Sequence, residues 1–208
     1  MDRLVDRSVT TFPILRESTA PSEALAVCGE SRLAVVVDRQ GAPLGLMTRR
    51  DLQSARDRGA STLADCETRL PPTVLARTEA KLSELFSYNV VPAFAVGARG
   101  VIFVSEQGVA VGVLSLDDLL YHLTAHLSSD RDAPILLRTF TDYFFSRDPA
   151  FDLDLLDGIV PLYRGPRETE ILVRCRDCGY LNRLAFLEPK ALPPCQCPDS
   201  PPHTLRLP

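Results

Sequence analysis

A chain of 208 residues, 45% hydrophobic and 24% charged, has room for one medium domain or two small ones with a sizeable core. Its formal net charge of −4 argues against non-specific nucleic-acid binding, whose footprint is a basic surface, and against attraction to anionic membranes. No apolar run approaches the ~20 residues that span a bilayer, and Met1-Asp2-Arg3-Leu4-Val5-Asp6-Arg7 lacks the apolar core of a signal peptide; the expected location is the cytoplasm.

Phe12-Pro13-Ile14-Leu15 reads as a short strand, and Pro21 to Val27 as a helix opening on Pro, a favoured first helical residue. Leu33-Ala34-Val35-Val36-Val37 is a continuous, mostly β-branched run, the mark of a strand buried on both faces. Asp38-Arg39-Gln40-Gly41 supplies turn chemistry, and Pro43 to Met47 returns as the hairpin partner. Thr48 caps a helix to about Arg56, with Gly59 at its end. The first unit is therefore strand, helix, strand, strand, helix.

The second unit repeats that order. Pro72 to Leu75 is the opening strand, and Ala80 to Tyr88 a helix with Leu82, Leu85 and Phe86 on one face. Val101 to Val104 is the buried strand, Glu106-Gln107-Gly108 the turn, Val109 to Leu114 the returning strand, and Ser115 the cap of a helix to about Leu127. In both units a Gly is followed by two apolar residues, a hydroxyl residue at +3 and an Asp at +6. The copies are Gly45-Leu46-Met47-Thr48-Arg49-Arg50-Asp51 and Gly112-Val113-Leu114-Ser115-Leu116-Asp117-Asp118, 67 positions apart (112 minus 45). The opening strands are offset by 60, so the second copy carries about seven extra residues, read as a loop within Val91 to Gly100.

The doubled turn-strand-Gly-x-x-Ser/Thr-x-x-Asp arrangement over residues 10 to 128 resembles a tandem of CBS domains, a Bateman module. Ala34 or a neighbour stands where that family often has Pro, and Ser105 where it often has Asp. The resemblance implies an α/β fold, a homodimer, and an adenine nucleotide (AMP, ADP or ATP, with S-adenosylmethionine as an alternative) in the cleft between repeats. The expected site residues are Gly45, Thr48, Arg49, Arg50 and Asp51 in the first copy, and Gly112, Ser115 and Asp118 in the second. A hydroxyl at a helix N-cap stands beside unpaired N–H groups and the positive end of the helix dipole, which suits a phosphate. A carboxylate one turn later can accept from ribose hydroxyls. A plain capping box, worth about 1 kcal/mol, is the competing reading. The first copy is favoured for phosphate, because the second has Leu116 and Asp117 in place of Arg49 and Arg50.

Of six cysteines, four fall within residues 175 to 197, a clustering that points to metal rather than crosslinks. Cys175-Arg176-Asp177-Cys178-Gly179 is a knuckle, sixteen residues separate Cys178 from Cys195, and Cys195-Gln196-Cys197 completes a set resembling a zinc ribbon. The ligands are Cys175, Cys178, Cys195 and Cys197, with His203 as a substitute for one of the last pair, because ribbons usually have Cys-x-x-Cys there. Four protein ligands imply structural Zn2+. Glu170 to Arg174 and Tyr180 to Leu187 read as its strands, and a short tail with few large apolar residues needs such a staple.

The expected organisation is a tandem module over 1–128 (repeats at about 10–60 and 70–128), a helical connector over 129–166 and a zinc-ribbon-like domain over 167–208. No nucleophile–base pair or open metal site emerges, so the expectation is a non-enzymatic sensor that signals to a protein partner. The alternatives are a ligand-free interaction scaffold and, below it, a nucleic-acid-binding ribbon. Residues 167–208 carry six Lys/Arg and five Asp/Glu, so the last lacks its electrostatic footprint.

Overall fold

The computed structural model describes residues 8, 11–80, 85, 90–127, 169–189 and 191–207. The proposed connector, and all of the helix expected over 80–88 except Ala80 and Leu85, lie outside them.

The fold is mixed α/β, with two sheets and few helices. The first sheet has the order β1-β2-β3, from β1 (Ile14–Arg16), β2 (Leu33–Val37) and β3 (Pro43–Thr48). Helix α1 (Pro21–Cys28) crosses from β1 to its parallel neighbour β2, and α2 (Arg49–Asp57) follows β3. The second sheet repeats this with β4 (Thr73–Arg77), β5 (Gly100–Val104) and β6 (Ala110–Ser115), followed by α4 (Leu116–Leu127).

Pairing confirms that these are copies. Val36 pairs with Gly45 and Phe103 with Gly112, and each hairpin carries its register shift at the next residue, Val37 and Val104. Val36 and Phe103 are 67 apart, while their parallel partners, Leu15 and Ala76, are 61 apart, so the register places the insertion at six residues (67 minus 61) rather than seven. That insertion is not all loop. Helix α3 (Val91–Ala95) forms within it, opened by Pro92, because Ala93 and Phe94 have a core to enter and are fully buried. A 3-10 helix over Ala64–Arg69, absent from the sequence reading, links the repeats and buries Cys66.

Among the described residues, three apolar clusters hold the fold together. One lies under the first sheet, around Leu15, Val36, Met47, Leu52 and Leu63. A second joins the faces of the two sheets through Val35, Leu46, Leu75, Ile102, Val113 and Leu172. The third, under the second sheet, runs without a break from Val74, Phe94, Phe103 and Leu119 into the tail residues Ile171, Cys175, Leu187 and Leu205.

The tail is thus built onto the second repeat. Strand β7 (Thr169–Arg174) pairs antiparallel with β4, Thr73 opposite Leu172 and Leu75 opposite Glu170, and β8 (Leu181–Leu184) pairs with β7. The second sheet therefore reads β6-β5-β4-β7-β8. In the first sheet β1, the counterpart of β4, remains at the edge. An open strand edge invites pairing, and β7 satisfies it for one repeat.

Candidate nucleotide cleft and metal centre

Thr48 is the N-cap of α2, in extended backbone geometry. Its Oγ1 accepts from the Asp51 N–H at 3.2 Å and donates to Asp51 Oδ2 at 2.7 Å, while Oδ2 also accepts from the Thr48 N–H at 2.7 Å. This is a complete capping box. The second copy builds the same core: Ser115 Oγ accepts from the Asp118 N–H at 3.1 Å and donates to Asp118 Oδ2 at 2.6 Å. Thr48, Asp51, Ser115 and Asp118 are all half-buried.

The two copies differ in who else reaches the carboxylate. Asp51 Oδ1 accepts from Arg99 Nη2 at 2.7 Å, a residue 48 positions away in the other repeat. Arg99 arises in the insertion, immediately before β5, and sequence reasoning passed over it. The signal was present: Arg32 occupies the matching place before β2, 67 positions earlier (99 minus 32). Arg32 is exposed and has no hydrogen bond or ion pair among the described residues.

Other expected site residues take local roles. Arg49 is exposed, and its Nη1 donates to the Gly29 carbonyl. Arg50 is exposed without a partner among the described residues. Gly45 and Gly112 lie buried in β3 and β6. At Gly45 the close neighbours are the chain's own: an added Cβ would stand 3.1 Å from Leu70 Cδ1 and 3.6 Å from Thr73 Oγ1. Thr73 Oγ1 accepts from the Leu46 N–H at 3.3 Å, tying the two sheets together.

The tail gathers Cys175, Cys178, Cys195 and His203, whose ligand atoms all lie within 4.8 Å of one another. The knuckle forms as its Gly suggests: Gly179 has φ +74°, and its N–H donates to the Cys175 carbonyl at 2.8 Å. Cys195 and His203 face each other because the Cys195 N–H donates to the His203 carbonyl at 2.8 Å, within a short ladder that includes the Pro194–Thr204 bridge. Cys197 is not one of the four; its thiol donates to Ser200 Oγ at 3.4 Å.

The donor set fits zinc. With Zn–S near 2.3 Å and Zn–N near 2.0–2.1 Å, a tetrahedron has ligand–ligand edges of about 3.6–3.8 Å. Cys178 Sγ and Cys195 Sγ are 3.5 Å apart, as are Cys175 Sγ and His203 Nε2. His203 Nδ1 stands 2.8 Å from the Pro201 carbonyl, an acceptor, so the ring proton belongs on Nδ1 and the Nε2 lone pair faces the thiols. Burial alone would raise the Cys175 thiol, but N–H groups of Arg206, Cys178 and Asp177 and the His203 ring hold it down at about 6. Burial, with the neighbouring Cys195 and Cys175 thiols, pushes Cys178 up to about 12. That crowding of sulfur is what a divalent cation relieves.

Asn182 is a residue the sequence did not flag. It is fully buried, its Nδ2 donating to the Tyr180 carbonyl at 2.9 Å and lying 3.6 Å from Cys195 Sγ, while its Oδ1 accepts from the Gln196 N–H at 2.7 Å. It fixes the second half of the cluster against the first.

Comparison with known proteins gives a likeness of fold. No family model matches the chain, and no curated protein matches it. The CBS domain pair/ACT domain protein TM0892 from Thermotoga maritima is 21% identical, with a TM-score of 0.45 over 61% of this chain and 99% of that one. The CBS domain pair of MJ0100, solved with 5′-methylthioadenosine and S-adenosyl-L-methionine, is 16% identical, with a TM-score of 0.48 over 60% and 98%. CBSX2, solved with AMP, is 17% identical, with a TM-score of 0.44 over 62% and 98%. Solved structures to which this chain is similar include CBS domain pairs.

Proposed function

We propose that the protein is a non-enzymatic sensor that binds an adenine nucleotide between its two repeats and signals to a protein partner through a zinc-stapled tail. The observation that carries this reading is the same hydroxyl–carboxylate pair built at two helix N-termini, 67 positions apart. Each pair sets a carboxylate, an acceptor for ribose hydroxyls, beside helix N–H groups that favour phosphate. Phosphate contacts in the first copy fall to Thr48, Arg49 and Arg50, ribose contacts to Asp51, with Gly45 in the adjoining strand; Gly112, Ser115 and Asp118 form the second site. In the tail, Cys175, Cys178, Cys195 and His203 would hold structural Zn2+, with Cys197 beside them.

Thermal-shift measurements with AMP, ADP, ATP and S-adenosylmethionine test the sensor. A ligand at 100 times its Kd stabilises the native state by about 2.7 kcal/mol, which moves the midpoint by several degrees. No shift with any of the four at millimolar concentration sinks the reading. The competing scaffold reading draws on one observation, that Asp51 already has a cationic partner in Arg99. In that case the ion pair is structural and no nucleotide shifts the midpoint.

The expected homodimer is tested by sedimentation of the full chain, with a monomer at micromolar concentration as the adverse result. Among the described residues no helix is long and apolar enough to cross a membrane. Cytoplasmic location stays part of the proposal.

A further inference from the structure

Arg99 touches both copies of the motif. Its side chain occupies Asp51 of the first, at 2.7 Å. Its backbone carbonyl accepts from the N–H of Leu116 at 2.9 Å, and Leu116 is the first residue of the helix that Ser115 and Asp118 cap. The chain has no slack between these contacts. Gly100, the next residue, pairs with Ser115, and an added Cβ there would run into the Leu114 carbonyl oxygen and stand 3.1 Å from Ser115 Cα. The arrangement is also imperfect: Arg99 Nε is buried without a hydrogen-bond partner, a cost that movement of the side chain would relieve.

We propose that Arg99 is a shared latch that couples the two nucleotide sites with positive sign, an inference that rests on the nucleotide reading above. In the latched state Asp51 Oδ1 and the Leu116 N–H are both occupied by one residue. A ribose at Asp51 needs the first group, and a phosphate at the N-terminus of α4 needs the second. Either ligand therefore selects the released state, and the ligand that binds first leaves less for the other to displace. Arg32, at the matching position of the first repeat, leaves Asp118 unlatched among the described residues, so one arginine and not two sets the coupling. Arg99 is a positioning residue here, acting on both sites without belonging to either helix.

The test uses the full chain as wild type, Arg99→Ala and Arg99→Lys, with AMP as the probe. In calorimetric titration the wild type should show a second binding event about 2- to 5-fold tighter than independent sites allow, the range a partly exposed ion pair supplies. Arg99→Ala should bind its first AMP about 2- to 5-fold tighter with the coupling gone, and Arg99→Lys should fall between. A wild type with independent sites, or Arg99→Ala binding AMP no tighter, overturns the latch and leaves the sensor standing. A protein that binds AMP in no variant overturns both. A ligand-free readout separates the two: in Arg99→Ala the Leu116 amide should exchange about 2- to 5-fold faster than in wild type while Val36 is unchanged. Equal Leu116 exchange overturns the latch whatever AMP does.

Discussion

Arg99 and Asp51 lie 48 positions apart, in different repeats, yet Nη2 and Oδ1 are separated by 2.7 Å. The carboxylate on which nucleotide binding would turn therefore already does two things: it caps α2 through Oδ2 and holds an arginine through Oδ1.

Replacing Asp51 by Ala removes both roles, so stability should fall by about 1–2 kcal/mol. Arg99→Ala removes only a half-exposed ion pair and should cost about 0–1 kcal/mol. Urea midpoints of the two variants check the order. A nucleotide-induced thermal shift should vanish in Asp51→Ala at the first site, judged against that variant's own lower baseline.

Loss of metal should be felt in the second repeat before the first, because Cys175 and Leu205 share a buried cluster with Val74 and Phe103. Chelation should speed amide exchange in β4 and β5 while β2 and β3 keep their protection; uniform loss would speak against the coupling. Metal analysis should find about one zinc per chain, as four protein ligands require. His203→Ala should weaken zinc retention against a chelator by more than Cys197→Ser does, and the reverse order would put Cys197 in the coordination sphere.

Two glycines separate space from backbone strain. Gly100→Ala forces a Cβ against the Leu114 carbonyl and Ser115 and should cost about 1–3 kcal/mol, with local disturbance of the β5–β6 pairing. Gly41, with φ +89°, has nothing within 4 Å of an added Cβ, so Gly41→Ala should cost about 1 kcal/mol from backbone conformation alone. Comparable chemical-denaturation values for the pair, with unchanged β5–β6 amide shifts in both, would contradict the distinction.

Asp65 gives the acid-side prediction. Hydrogen bonds from the Thr62 N–H and hydroxyl hold its carboxyl below the usual carboxylate range, with the Ser61 N–H adding to them. A depressed folded-state pKa means the contribution is present above the unfolded value, about 3.9, and is lost as pH falls through the lower folded value. Asp65→Asn should therefore flatten the stability profile below about pH 4. NMR titration of the Asp65 carboxyl checks the direction, and an upward shift would refute it.

Much of this was legible in the chain. The 67-residue spacing foretold the paired strands and caps, which follow from local residues, while the matching bulges after Val36 and Phe103 emerged only with the ladders themselves. The knuckle glycine, the β7 and β8 strands and the clustered sulfurs were legible for the same reason. Helix α3 was not, because Val91 to Ala95 gains its order from burial of Ala93 and Phe94 rather than from periodicity. Asn182 was not either, since a buried amide in a strand has no mark in the sequence until its partners are in place.

By itself the sequence determined the repeat, the caps and the clustering of the cysteines, all of which rest on contacts within a few residues or on spacing. Only the tertiary structure decided three long-range matters: that β7 closes the open edge of β4, that His203 meets Cys175, Cys178 and Cys195, and that Arg99 reaches Asp51 across the repeats. Each depends on which chain segments meet in space. Two caps that the sequence already set apart by the residues between hydroxyl and Asp are set apart further once one of them faces an arginine.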